Sequence, residues 1–187
     1  MTQELAAEKI LFLKDFLLNP AKIGSITPSS SYLTEKLLAS LPWERFNVIV
    51  ELGAGTGVFT EYAAAHKRPD SVFLVIEQDP QMQKALKARF PQVLFGSQAE
   101  DLPALMRLHN LPKADCIISG LPFAVIEKKD HLKILAGIDR SLSSHGKFVA
   151  FQYSFQMYCT FHRIFRKVKL GFTPLNLPPA FTYTCCK

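Results

Sequence analysis

The stretch Val48-Ile-Val-Glu-Leu-Gly-Ala-Gly-Thr-Gly57 constrains the fold more than any other part of the chain. An apolar run of strand length leads directly into three alternate glycines, and a helical pattern follows. Because glycine tolerates positive φ and has no Cβ, Gly53, Gly55 and Gly57 let the backbone turn sharply and let a ligand approach it closely. The free amides at the start of the following helix favour a carboxylate. The stretch therefore predicts the first strand, turn and helix of a Rossmann-like sheet.

Short apolar runs alternate with helical stretches from residue 46 onward. Runs without polar alternation, separated by helices, are typical of a doubly wound and mostly parallel α/β sheet. The last two runs flank a proline-containing loop, which favours an antiparallel hairpin at the sheet edge. We predict strands at 48–52, 72–77, 93–95, 116–119, 147–151, 168–172 and 181–185, and helices at 58–66, 80–89, 102–108 and 129–142. The expected fold is a Rossmann-like, doubly wound sheet of seven strands.

The N-terminal part of the chain is predicted to be helical. Apolar residues at 4–18 share one broad arc at helical spacing, and a second helix at 32–40 follows Ser31, a candidate cap. A length of 187 residues, nearly half of them apolar, suits one domain. We expect a single domain over 1–187, with residues 1–45 as a helical cap over the ligand cleft and residues 46–187 as the Rossmann-like core.

The second predicted strand ends in an acid, Glu77, where a Rossmann-like sheet uses a carboxylate to accept hydrogen bonds from ribose hydroxyls. Together with Glu77, the run from Glu51 to Gly57 resembles the cofactor motifs of class I S-adenosylmethionine-dependent methyltransferases. A nicotinamide-binding turn would instead have a glycine where Val58 stands. The resemblance implies S-adenosylmethionine as cofactor, and it implies these cofactor-binding residues: Glu51, Gly53, Ala54, Gly55, Gly57, Glu77, Gln78, Gln98, Ala99 and Ser119. Gln98 or Glu100 would hold the adenine amino group.

The fourth predicted strand ends in Ser119-Gly-Leu-Pro-Phe123. Amine methyltransferases place a short turn here, where backbone carbonyls and a small side chain receive the N–H groups of the acceptor. Methyl transfer requires mainly positioning, desolvation and loss of one amine proton. By this resemblance the catalytic residues are Ser119, Gly120, Leu121, Pro122 and Phe123.

Two families of methyltransferase share features of this turn. Ribosomal RNA adenine dimethyltransferases have a similar turn, but with Asn in place of Ser119 and usually Tyr in place of Phe123. They also usually carry a further C-terminal helical domain, which we do not expect in a chain of this length. The bacterial phospholipid N-methyltransferases resemble the chain at three places: residues 23–30 (IGSITPSS), residues 119–122 (SGLP) and residues 176–180 (NLPPA). An RNA adenine N6-methyltransferase therefore remains an alternative to a phospholipid enzyme.

The phospholipid resemblance implies methylation of phosphatidylethanolamine and its partly methylated forms at a membrane surface. The helix at 4–18 would then lie in the interface with its apolar arc downwards. Aromatic faces could hold a methylated ammonium by cation–π attraction, so the candidate substrate-binding residues are Tyr32, Phe123, Tyr153 and Tyr158. A small-molecule N-methyltransferase and a non-catalytic cofactor-binding domain are further alternatives.

Charge and cysteine usage narrow the choice of partner and compartment. The formal charge of +6 favours anionic partners, and a phospholipid surface fits better than nucleic acid. The four cysteines lack metal-ligand spacing and no histidines pair at such spacing, so we assign no metal. Acidic residues interrupt the N-terminal apolar residues, and no window of about 18 apolar residues is present. We expect a cytoplasmic protein that is peripheral on the inner face of the membrane.

Overall fold

The computed structural model describes residues 31–176 and 178–187. The helices are α1 (Ser31–Leu38), α2 (Val58–His66), α3 (Pro80–Arg89), α4 (Leu102–Leu108), α5 (Lys128–Ser141) and α6 (Tyr158–Ile164). The strands are β1 (Val48–Leu52), β2 (Val72–Ile76), β3 (Leu94–Gly96), β4 (Ala114–Ser119), β5 (Leu142–Gln152), β6 (Lys167–Thr173) and β7 (Ala180–Cys186). Short 3-10 turns lie at Trp43–Arg45, Ala99–Asp101 and Phe155–Met157. None of these helices is long and apolar enough to cross a membrane.

The strands form one seven-stranded sheet in the order β3-β2-β1-β4-β5-β7-β6. Strands β1 to β5 pair in parallel, and β7 runs antiparallel to both β5 and β6. The carboxyl ends of β1 to β6 therefore share one edge of the sheet with the start of β7. Ligands of open α/β sheets bind at this edge.

Helices cover both faces of the sheet, so its central strands are buried and mostly apolar. On one face, α4, α5 and α6 contribute Leu102, Leu135 and Phe161 to a cluster that includes Val50. On the other face, α1, α2 and α3 contribute Leu33, Phe59 and Leu86 to a cluster that includes Ile49. Successive β1 side chains point to opposite faces, and every residue of β1 is buried. The apolar run at 48–52, which only Glu51 interrupts, is the result.

The predicted fold class is confirmed, and most predicted elements lie within two residues of their observed bounds. Strand β5 differs, because it starts at Leu142 directly after α5 instead of at residue 147. Leu142 pairs with Ala114, and a register shift separates this pair from the pairing of Lys147 with Cys116. The polar residues 143–145 hide this early start. Helix α6 was not predicted, since its seven aromatic-rich residues lack a clear helical period.

Ser31 is itself helical in α1 and is therefore not the non-helical cap that precedes it. It packs on α2 and on strands β5, β6 and β7. The predicted helix at 4–18 and the stretch at 23–30 lie outside the described residues. Leu177, within the 176–180 stretch, also lies outside them.

Candidate active site

The glycine turn after β1 has the backbone conformation that its sequence predicts. Gly53, Gly55 and Gly57 have φ angles of 72°, 55° and 87°, in the left-handed region that favours glycine. A Cβ on Gly55 would meet no atom of the described residues within 4 Å, whereas a Cβ on Gly53 would lie 2.9 Å from Leu121 Cδ2. The turn is therefore open to a ligand at Gly55 and closed by a neighbouring side chain at Gly53.

Glu77 joins the end of β2 to this turn. Its Oε2 accepts a hydrogen bond from the Gly55 amide at 2.7 Å, and its Oε1 accepts one from the Asp79 amide at 2.9 Å. Each carboxyl oxygen has a second lone pair, so contacts to ribose hydroxyls remain available. Gln78, beside it, is exposed. The structure thus explains Glu77 as a residue that shapes the turn, and its ribose contact stays a prediction.

Glu51 lies inside β1 with its side chain fully buried. Thr60 Oγ1 donates a hydrogen bond to Glu51 Oε2 at 2.7 Å, whereas Oε1 is buried without a hydrogen-bond partner among the residues the structure describes. Burial raises the pKa of Glu51 to about 8, which the Thr60 hydrogen bond opposes and the nearby Glu77 charge reinforces. Glu51 is therefore mostly protonated at neutral pH, and a cationic ligand group beside it would favour its ionised form.

The loop after β3 is fixed by a residue that the sequence analysis did not select. Gln83 Nε2, in the first turn of α3, donates to the carbonyls of Glu77 and Gly96 and to Ser97 Oγ. Gln98 follows this anchored point and is exposed, while Ala99 is buried at the start of a 3-10 turn. Gln98 is thus free to face a ligand, and its adenine contact stays a prediction.

The predicted acceptor turn lies directly against the glycine turn. Ser119 is fully buried and pairs in register with Leu52, and the Gly120 amide donates to the Leu52 carbonyl at 2.9 Å. A Cβ on Gly120 would lie 2.5 Å from the Gly53 carbonyl oxygen. Only glycine at position 120 allows this close approach. The structure therefore brings together the two turns that the sequence analysis selected separately.

A second unpredicted residue holds the acceptor turn in place. Gln152, at the end of β5 and 3% exposed, donates from Nε2 to the Leu121 carbonyl at 2.9 Å and to the Phe151 carbonyl at 2.6 Å. Leu121 itself is half-buried and Pro122 is exposed. The signal that could have identified Gln152 is an amide directly after the apolar run 148–151, at the functional edge of the sheet.

The candidate aromatic residues do not form one cage. Phe123 is buried in the core, with its ring 5.2 Å from that of His131 and 6.0 Å from that of Phe161, so stacking on an acceptor would require it to leave the core. Tyr153 packs on one face of the sheet and Tyr158 on the other. Tyr32 is exposed on α1. A role for these rings in acceptor binding stays a prediction.

Tyr153 is nevertheless fixed near the acceptor turn. Its hydroxyl is hydrogen-bonded to the buried Asn176 side chain, which partly offsets the rise in the Tyr153 pKa that burial causes. Asn176 also donates to the Pro178 carbonyl at 2.6 Å. Asn176, the first residue of the 176–180 stretch that resembles the phospholipid N-methyltransferases, therefore links the loop between β6 and β7 to Tyr153. Within residues 31–176 and 178–187, no group of three His, Cys, Asp or Glu side chains could hold a metal ion.

Comparison with known proteins identifies the family. Residues 50–150 match the sequence profile of the family described as Methyltransferase domain. Over 181 residues the chain is 34% identical to the ornithine lipid N-methyltransferase of Singulisphaera acidiphila, and the match covers 94% of each protein. The chain belongs to the class I S-adenosylmethionine-dependent methyltransferases.

Solved structures share the fold of this methyltransferase. The O-methyltransferase from Bacillus cereus, in complex with S-adenosylhomocysteine, superposes with a TM-score of 0.69 at 12% identity, covering 94% of this chain and 90% of that one. The precorrin-6y C5,15-methyltransferase from Geobacter metallireducens gives a TM-score of 0.64 at 16% identity, covering 83% and 88%. At these identities the likeness shows the fold alone.

The residues of this methyltransferase fit S-adenosylmethionine, the cofactor of its family. The cofactor carries an ammonium, a carboxylate and two ribose hydroxyls. The partnerless Glu51 Oε1 suits the ammonium, the open space at Gly55 admits a ligand close to the backbone, and the N-terminus of α2 suits the carboxylate. Glu77 retains lone pairs for the hydroxyls. These residues would hold the cofactor at the edge where Gly53 and Gly120 meet.

Proposed function

We propose that this methyltransferase methylates the amine of a membrane-lipid headgroup, with phosphatidylethanolamine and its partly methylated forms as the first acceptors to test. The observation that carries the proposal is the 34% identity to an ornithine lipid N-methyltransferase over 94% of both proteins. That match includes the acceptor side of the sheet as well as the cofactor side. Ornithine lipids and phosphatidylethanolamine both present a primary alkylamine close to the membrane surface.

The acceptor turn supplies the contacts that an incoming amine needs. The Leu121 carbonyl already accepts hydrogen bonds from Gln152 Nε2 and from the Phe123 amide at 3.0 Å. These two bonds occupy both lone pairs of the Leu121 oxygen, and the Pro122 carbonyl accepts one bond from the Val125 amide at 3.0 Å. The acceptors we expect for the amine N–H groups are therefore the Gly120 carbonyl and the remaining lone pair of the Pro122 carbonyl. These contacts orient the nitrogen lone pair towards the glycine turn.

The chemistry needs no covalent intermediate with the protein. When bound, S-adenosylmethionine supplies an electrophilic methyl group on its sulfonium and leaves as S-adenosylhomocysteine. The alkylammonium first loses a proton to water, and its lone pair then forms the new N–C bond as the C–S bond breaks. Ser119 is buried and Gly120 is half-buried, so the two residues exclude water from one side of the amine. The proposed work of the protein is therefore positioning and desolvation.

The proposal makes the protein a peripheral partner of a phospholipid surface, at the cytoplasmic face of the membrane. The lipid relative and the net charge of +6 support this placement. The predicted amphipathic helix at 4–18 is proposed to contribute to docking. Deletion of residues 4–18 should then weaken binding to anionic vesicles, and unchanged binding would remove that role.

Radiolabelled methyl transfer from S-adenosylmethionine tests the acceptor class. Parallel reactions contain vesicles with phosphatidylethanolamine, vesicles with ornithine lipid, total RNA with unmethylated adenines, and free ethanolamine. We expect label in the lipid fractions. Label confined to RNA or to free ethanolamine would refute the proposal. A Gly55→Asn variant provides the control, since its side chain would enter the open space at the glycine turn.

A further inference from the structure

Exposed apolar side chains cluster at the sheet edge that carries the acceptor turn. Phe155, Phe172 and Leu175 are 54%, 49% and 66% exposed. They lie in the 3-10 turn after β5, near the end of β6 and in the loop that follows β6. Both phenylalanine rings contact the half-buried Phe181, with centroids 6.0 Å and 5.1 Å away. We refer to Phe155, Phe172 and Leu175 as the aromatic edge.

The two rings of the aromatic edge rest on ordered parts of the fold. Phe172 is the direct cross-strand partner of Phe181 in the β6–β7 pair. Phe155 stacks on Tyr158 at the start of α6, with centroids 5.2 Å apart and ring planes 12° apart. Another exposed large apolar residue, Leu108, lies at the end of α4, towards the opposite edge of the sheet. Single exposed residues need no explanation, whereas a clustered apolar patch marks a binding surface.

The aromatic edge faces the same side as the acceptor turn. Strand order places β5 and β7 between β4, which ends at Ser119, and β6, which carries Phe172. With about 4.8 Å between neighbouring strands, the end of β6 lies about 14 Å from the end of β4. This distance is short enough for one membrane surface to contact the aromatic edge while a lipid headgroup reaches the acceptor turn.

The charge around the aromatic edge indicates which kind of partner binds there. No Asp or Glu follows Asp139 in the sequence, yet this segment holds seven Lys and Arg residues. Two exposed lysines lie close to the aromatic edge: Lys169, three residues before Phe172 on β6, and Lys36 of α1, whose Cε lies 3.7 Å from where a Cβ on Gly171 would be. A second copy of the chain would bring like charges together, whereas anionic phosphates complement them. A surface that combines exposed aromatics with nearby lysines suits the interface of a phospholipid membrane.

We propose that the aromatic edge inserts into the interfacial layer of a phospholipid membrane and thereby presents the acceptor turn to the lipid headgroups. This inference rests on the proposed function for its choice of lipid over RNA. It adds a docking surface within the described core, separate from the predicted helix at 4–18. Apolar contact gives the binding, and the nearby Lys36 and Lys169 make it favour anionic lipid.

The test is a sedimentation assay with vesicles, using the full chain. The edge variant carries Phe155→Ser, Phe172→Ser and Leu175→Ser; the control carries Leu108→Ser, which removes an exposed apolar side chain towards the opposite edge of the sheet. Vesicles contain phosphatidylcholine alone or mixed with phosphatidylglycerol. We expect the edge variant to lose about tenfold or more in partitioning onto the mixed vesicles, because three apolar side chains no longer insert. The control variant should bind like the parent.

A second readout separates docking from folding and from chemistry. The edge variant should keep the parent's affinity for S-adenosylhomocysteine and should methylate a soluble, short-chain lipid amine at the parent's rate. Unchanged vesicle binding by the edge variant, an equal loss in the control variant, or loss of RNA binding in place of vesicle binding would each overturn the inference. If vesicle binding depends on the edge while no lipid amine is methylated, the proposed function fails and the docking surface stands.

Discussion

Glu51 should make the cofactor-free protein less stable as the pH rises. Its pKa is about 8 in the folded chain, against an ordinary value of 4.5, because burial disfavours the charged form. A carboxyl whose pKa is raised by folding binds more protons in the native state than in the unfolded one, so the free energy of unfolding falls with rising pH. No penalty exists below about pH 4.5, the penalty grows between about pH 4.5 and pH 8, and it is constant above that range.

The size of this effect follows from the same values. Each pH unit between the two pKa values is worth about 1.4 kcal/mol, so the ionisable group destabilises the fold by about 3 kcal/mol at pH 7. A Glu51→Gln variant removes the titration and keeps an oxygen that can accept from Thr60 Oγ1. We expect this variant to be about 3 kcal/mol more stable than the parent at pH 7 and about equal to it at pH 4.

Urea unfolding of the cofactor-free parent and variant across this pH range measures the prediction. Glu44→Gln is the matched control, because Glu44 is exposed and pairs only weakly with the exposed Arg45. Saturating S-adenosylhomocysteine should flatten the pH dependence of the parent if its ammonium pairs with Glu51. A stability difference between Glu51→Gln and parent that stays constant over the whole pH range would refute the reasoning.

Three further substitutions test the site. Gly55→Asn should fold, since Asn tolerates the left-handed region, but it should weaken S-adenosylhomocysteine binding about tenfold or more in calorimetry. Gly120→Ala should lower the free energy of unfolding by about 1–3 kcal/mol and weaken cofactor binding, because its Cβ meets the Gly53 carbonyl oxygen. Gln152→Leu should lower kcat while the cofactor affinity stays unchanged, and should destabilise the fold by about 1–2 kcal/mol, because the Leu121 carbonyl loses a donor.

Matched controls separate these effects from general damage. Gly137→Ala places a Cβ 3.5 Å from Pro103 Cδ, which is ordinary contact inside α5, so it should be neutral or stabilising. Gln92→Leu changes an exposed amide and should leave kcat unaltered. Parental cofactor affinity in Gly55→Asn would contradict the placement of the ligand at the glycine turn. Equal losses of stability in Gly137→Ala and Gly120→Ala would contradict the steric argument.

The sequence predicted the parts of the fold that local patterns determine. Strand β1, helix α2 and the turn between them follow from an apolar run, three glycines and a helical period. Helix α3 follows from Asp79, whose Oδ1 accepts from the amides of Gln81 and Met82, and from proline at its first position. Such signals lie within a few residues of each other, so a single sequence suffices to interpret them.

The remaining features depend on contacts between distant residues. The amide of Gln152 fixes the acceptor turn, but only the β4–β5 pairing brings it to Leu121. Phe123 was expected to face an acceptor, yet rings from α5 and α6 surround it in the core. The raised pKa of Glu51 likewise comes from burial, and the sequence pattern alone does not indicate how deeply this side chain is buried. Local patterns locate the site, and tertiary packing sets the state of its side chains.

The two halves of the functional edge differ in charge, and the difference matches two different ligands. The half built on β1 and β2 carries the carboxyl groups of Glu51, Glu77 and Asp79, which suit a cofactor with an ammonium and a sulfonium. The half built on β5, β6 and β7 lacks acidic residues and carries exposed aromatics and cations, which suit an anionic lipid surface. The acceptor turn at Ser119 and Gly120 lies at the boundary. The half built on β1 and β2 would therefore attract the cationic methyl donor, and the half built on β5, β6 and β7 would attract the anionic membrane that carries the amine.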